Sequence, residues 1–110
     1  IRVDNPARQF DFIYINDLIE GISAGINYAT LGKPFESIPL CTGAPTNLGE
    51  LANIIVEEAQ SPSKIIFKDA HQEYFIQPDS EKAKRLLGFE AKTYMREGIK
   101  RLLSAEYVED

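Results

Sequence analysis

The sequence predicts an α/β chain in which a few short strands pack with about four helices, and three observations predict it. Short runs of aromatic and β-branched residues have the length and boundaries of strands. Between them, apolar residues recur at helical spacing behind residues that cap helix N-termini. The two patterns alternate along the chain, with connections of ordinary length.

The elements follow in order. Ile1 runs straight into Arg2, Val3 and Asp4 without a methionine, as though in the middle of a strand or loop, so the chain reads as a fragment of something longer. Gln9 to Ile15, with Phe10, Phe12 and Tyr14 alternating against Asp11, Ile13 and Ile15, is the first expected strand. Leu18, Ile22, Ile26 and Ala29 then make a helical stripe that Asn16 or Asp17 can cap, closed by Gly32 and Pro34. Phe35 to Thr42 is expected to be a second, interior strand, turned by Gly43-Ala44-Pro45.

Asn47 and Glu50 have the spacing of a capping box, and Leu48, Leu51, Ala52, Ile55 and Ala59 line one face of the helix that follows, ended by Ser61-Pro62-Ser63. Lys64 to Phe67 is a third expected strand, followed by a polar stretch from Lys68 to Pro78. Asp79 caps a short helix whose buried side is Ala83, Leu86 and Leu87, and Gly88 stands where a left-handed C-terminus favours glycine. Thr93 opens a last helix with Met95, Ile99, Leu102 and Leu103 facing in and Arg96, Glu97 and Lys100 facing out. The opening strand finds no partner N-terminal to it, which fits a subdomain whose neighbour is missing.

At 110 residues there is room for one domain, spanning 1–110, with 44% hydrophobic and 26% charged residues as in ordinary globular chains. The formal net charge is -5 and acidic groups are spread along the chain, which sets it against nucleic acid and acidic membrane surfaces as partners. A small anionic ligand remains compatible, because one or two placed cations hold a diphosphate. Cys41 is the only cysteine, so no internal disulfide is possible, and its apolar neighbours mark an inert core thiol. No apolar run has the length of a membrane span and the first residues do not form a signal peptide, so the expected location is cytoplasmic.

No catalytic, cofactor-binding or metal constellation is legible: there is no glycine-rich dinucleotide fingerprint, no phosphate loop and one histidine, His71, in a polar stretch where a solvated role is the simpler reading. The acidic pairs Glu57-Glu58 and Glu109-Asp110 read as a helix face and a tail, not as ligands. Lys82, Lys84 and Arg85 share a short helix and read first as a solvated face. Arg8, two residues before the aromatic Phe10, can clamp a phosphate or stack on a base, with a surface ion pair as the other reading.

Four blocks in order resemble the NAD-dependent epimerase/dehydratase family of extended short-chain dehydrogenases/reductases. F-I-Y-I-N-D-L-I-E-G from Phe12 to Gly21 is similar to that family's F-V-Y-V-D-D stretch. T-G-A-P-T-N-L-G-E-L-A from Thr42 to Ala52 resembles its G-S-G-E-P-x-S-x-x-E-L-A turn and helix. D-S-E-K-A-K-R-L-L-G-F from Asp79 to Phe89 resembles its D-x-S-K-A-x-x-x-L-G-W, and Glu97-Gly98-Ile99 its closing E-G-hydrophobic.

The resemblance implies a small C-terminal substrate-binding subdomain of a larger oxidoreductase. The parent's N-terminal Rossmann domain, missing here, would bind NAD or NADP and carry a Tyr-x-x-x-Lys pair, so this fragment would bind no cofactor and catalyse nothing alone. It also implies a nucleotide sugar or related small molecule as substrate, with Arg8, Phe10, Tyr74 and Lys82 as the substrate-binding candidates. Two departures stand out. The family's arginine before its D-F-V-Y-V stretch is here Phe10, with Arg8 two residues away on the same strand face, and no arginine lies near Asp69 and His71 where the family has a second. They keep two alternatives open: the same fold acting on a non-nucleotide carbonyl compound, or a stand-alone binding module without chemistry.

Overall fold

A computed structural model describes residues 1–68 and 76–105. The architecture is α/β with four helices and few short strands, in the order β1 (Arg2–Asp4), β2 (Gln9–Phe10), α1 (Ile15–Thr30), β3 (Thr46–Asn47), α2 (Leu48–Glu58), β4 (Ile66–Lys68), α3 (Glu81–Leu87) and α4 (Met95–Ser104). The strands form two separate two-stranded ladders, β1 with β4 in parallel and β2 with β3 antiparallel.

The first ladder gives the opening residues a partner that the sequence reading did not find. Arg2, Val3 and Asp4 pair with Ile66, Phe67 and Lys68, and the pairing is extended by the Asn5 N–H donating to the Lys68 carbonyl at 3.0 Å. Sequence reading placed the later strand at Lys64 to Phe67, a shift of two residues at its start. In the second ladder only Gln9 and Phe10 are paired, opposite Asn47 and Thr46, so the strand expected to run to Ile15 stops after two residues. Residues 11 to 14 stay extended but feed directly into α1.

The capping of α2 is as the sequence predicts: the Glu50 N–H donates to Asn47 Oδ1 at 2.7 Å. Two more of its free amides are satisfied by the incoming chain, Leu48 N–H donating to the Arg8 carbonyl and Gly49 N–H to the Pro6 carbonyl, both at 3.0 Å. The helix N-terminus therefore fixes the backbone that carries Arg8. At the start of α3 the Lys82 N–H donates to Asp79 Oδ1 at 3.3 Å, and the helix ends on Gly88 at φ 65°, a left-handed position. The Phe89 N–H then closes back on the Ala83 carbonyl, which brings the Phe89 ring inward.

Three expectations are corrected. The residue preceding α1 is Tyr14, and neither Asn16 nor Asp17 caps it; Asp17 instead lies buried within the first turn. Its carboxylate accepts from the Lys92 and Thr93 amides at 3.2 and 2.9 Å, tying α1 to the segment that leads into α4. Residues 35 to 42 form no ladder among the described residues, and Phe35, expected inside, is 93% exposed. A strand needs a neighbour for its amides and carbonyls, and this segment is held by side chains instead. Finally, Leu102 and Leu103 of α4 are exposed, as are Ile22 and Ile26 of α1, so neither stripe is wholly a core face.

The interior rests on α2 packed against α4 and α1 against α3. Its buried apolar residues are Ala52, Ala83, Phe89 and Ala91, small except for the one ring. Gly21 is what lets α1 approach: a Cβ there would lie 2.9 Å from both Leu40 methyls. No helix among the described residues is long and apolar enough to cross a membrane.

Candidate functional site

Arg8, Phe10 and Phe12 occupy alternate positions on the extended stretch that begins with β2, and alternation places them in one row. The Arg8 guanidinium carbon lies 4.9 Å from the centre of the Phe10 ring, within cation–π range. The Phe10 and Phe12 rings follow with centroids 5.6 Å apart, tilted by 45°. Phe12 then lines a groove of about 270 Å³ between α2 and α4, together with Tyr14, Leu51, Ile55, Tyr94 and Met95. The row thus leads from a cation to an apolar cleft.

What holds this row is a set of contacts that sequence reading missed. Asp11, between the two phenylalanines, accepts from the Thr42 amide at 3.0 Å and the Thr42 hydroxyl through Oδ1, and from the Gly43 amide at 2.8 Å through Oδ2. Gly43 has φ 77°, and a Cβ on it would lie 2.7 Å from the Ser80 hydroxyl, so the turn that presents both amides needs glycine. The Gln9 side-chain oxygen accepts from the Ile76 amide at 3.4 Å. Asp11 alternating with aromatics was visible in the sequence; its partners 31 and 32 positions on were not.

The far wall of the groove is α4. Arg96 reaches from it to α2 and donates to Glu58 at 2.6 Å and Glu57 at 2.9 Å, so the acidic pair read as a plain helix face is half of a fork between two helices. Hydrogen bonding to Glu58 first, then Glu57, raises the guanidinium above its ordinary value, which keeps it charged. The Arg101 guanidinium stands 5.6 Å from the Tyr14 ring centre.

The sequence-predicted residues separate in space. Arg8 and Phe10 come together. Lys82 does not join them: its ammonium donates to the Ser37 carbonyl at 2.7 Å and pairs with Glu36 at 3.1 Å, bracing the segment after α1. Tyr74 and His71 lie outside the described residues. Cys41 is half-buried beside Asp11, and burial first, then the Asp11 charge, raises its thiol above the ordinary range. Among the described residues no three histidine, cysteine or acidic groups converge to hold a metal ion.

No family model matches the sequence. Among curated proteins, UDP-glucuronic acid decarboxylase 1 of Arabidopsis thaliana is 34% identical over 100 residues, covering 84% of this chain and 21% of that protein. Among solved structures, WbmF of Bordetella bronchiseptica in complex with NAD+ and UDP is 26% identical at a TM-score of 0.70, covering 88% of this chain and 28% of that one. The chain belongs to the NAD-dependent epimerase/dehydratase family. RMD from Pseudomonas aeruginosa, solved with NADPH, shares the fold at a TM-score of 0.79 and 16% identity over 94% of this chain and 34% of its own. The chain therefore spans about a fifth of the length of the curated family member it matches and about a third of these solved ones.

Proposed function

We propose that the chain is the substrate-binding part, residues 1–110, of an NAD(P)-dependent epimerase, dehydratase or reductase acting on a nucleotide sugar in the cytoplasm. The observation that carries this is the Arg8–Phe10–Phe12 row. Its cation suits a diphosphate, its rings suit a base or sugar face, and its end opens into the groove walled by α2 and α4. Hydride transfer would belong to NAD or NADP held elsewhere in the whole protein, with this part orienting the substrate and excluding water.

The test is to measure binding of UDP and UDP-sugars to the full-length polypeptide with and without Arg8→Ala. Loss of one charge-assisted contact predicts a roughly ten- to hundredfold weaker Kd, about 1.5–3 kcal/mol, with the unfolding midpoint unchanged. An unchanged Kd removes Arg8 from the site.

One observation favours a second reading. Lys82, the other predicted cation, is engaged by Glu36 and Ser37, which leaves Arg8 to carry the diphosphate among the described candidates. The same fold acting on a non-nucleotide carbonyl compound needs no diphosphate contact, and that version predicts no competition between nucleoside diphosphates and substrate.

A further inference from the structure

Helix α1 has two unlike faces. Asp17 and Gly21 lie on the packed one, against the Lys92–Thr93 amides and against Leu40 and Phe89. Ile15, Ile19, Ile22 and Ile26 lie on the other, and steps of four, three and four residues set them in a single stripe. Their exposures are 54, 54, 50 and 60%, and Leu31 at 70% and Phe35 at 93% continue the apolar surface beyond the helix end. A hollow of about 470 Å³ runs alongside, with Ile22, Phe35 and Leu40 in its wall and Lys33 and Glu36 among its polar lining. The nearby Glu20 is paired with Lys92. An apolar centre with a paired, polar rim is the composition of a covered interface.

The total surface points the same way. The chain exposes 8154 Å², whereas a self-contained monomer of 12.4 kDa exposes about 6,100 Å². The radius of gyration is 16.9 Å against about 13 Å for a compact domain of this length. An excess of about 2,000 Å² is more than twice one partner's share of a standard interface and falls in the range of permanent associations. The fold occurs in RMD as 34% of a longer chain, where the same module shares one polypeptide with the rest of its protein.

The geometry points to the α1 isoleucine stripe with Leu31 and Phe35 as the docking surface for the cofactor-binding portion of the same polypeptide, an apolar face of matching size. This rests on the reading that the chain is part of a larger oxidoreductase. It assigns the opposite side of the molecule, the groove between α2 and α4, to the substrate.

Single cysteines at Ile19 and Phe35, with Lys100→Cys as an exposed reference, are placed in the full-length polypeptide and labelled with a water-soluble maleimide. The unsubstituted protein gives the Cys41 background. The expected result is labelling at Ile19→Cys and Phe35→Cys at least tenfold slower than at Lys100→Cys, at every protein concentration. Rates within twofold of the reference overturn the assignment. So does protection that appears only as concentration rises, or a crosslink from Phe35→Cys that maps to a second copy, since either puts another molecule on the stripe. A full-length polypeptide no longer than this chain overturns it as well. Hydroxyl-radical footprinting of Ile19, Ile22 and Phe35 in the unsubstituted protein reads the same surface without a substitution. UDP binding measured on the same samples keeps the two readings apart: protection without UDP binding sinks the substrate reading alone, and UDP binding without protection sinks the docking surface alone.

Discussion

The α2–α4 half and the α1 half of this molecule use similar amounts of apolar sequence differently. In the first half, Ala52, Met95 and Ile99 face across a helix pair that is capped by Asn47 and forked by Arg96. In the second, α1 makes its packed contacts through a glycine and a carboxylate and leaves four isoleucines in water. The difference teaches that apolar periodicity marks a face that will be covered, without saying whether the covering is local. One half satisfies itself; the other is built for something beyond its own contacts.

The comparison is broken most severely at Asp17. It is 3% exposed, and Asp17→Ala would leave the Lys92 and Thr93 amides without their acceptor. The expected loss is about 3 kcal/mol in urea unfolding, and a change below about 1 kcal/mol would show that the tie between α1 and α4 is dispensable. Gly21→Val comes next. Added methyls would meet Leu40 and Phe89, so overpacking should cost about 2 kcal/mol and loosen α1 from α3. A wild-type unfolding midpoint would contradict the close approach.

Asn47→Ala should cost about 1 kcal/mol, seen as faster amide exchange at Glu50, with Asn47→Asp restoring most of it. Ile22→Lys should be the mildest in the isolated 110-residue chain, within about 0.5 kcal/mol, because the side chain is already half in water. A loss near that of Gly21→Val would mean the stripe is packed after all. Cys41 supplies a pH test. Its thiol is raised by burial and by Asp11, so the stability it adds is complete below the ordinary thiol range and is lost as pH rises through the raised value. Alkylation should therefore set in at higher pH than for free cysteine in the same assay, and a midpoint at or below free cysteine would contradict the burial.

The legibility of each element follows the distance over which its cause acts. The Asn47 cap, the Asp79 contact to Lys82 and the left-handed Gly88 each involve partners within four residues, and each stood in the sequence. Arg8 and Phe10 were paired for the same reason, two positions apart on an extended chain. Lys82 was misread as a site residue because its partners, Glu36 and Ser37, lie 46 and 45 positions away. Asp17 looked like a cap because an acidic residue in a first turn usually is one; its actual partners lie 75 and 76 positions on.

By itself, then, the sequence determined the α/β class, the four helices and their local stops, the family blocks, and the residues Arg8 and Phe10 as one unit. The tertiary structure alone decided which apolar stripe faces inward, that residues 35 to 42 run without a ladder among the described residues, and that Asp11 and Asp17 are spent on holding turns. The physical reason is the same in each case. Caps and turns are settled by hydrogen bonds a few residues long, whereas the choice of which face is buried depends on what distant surface arrives to cover it.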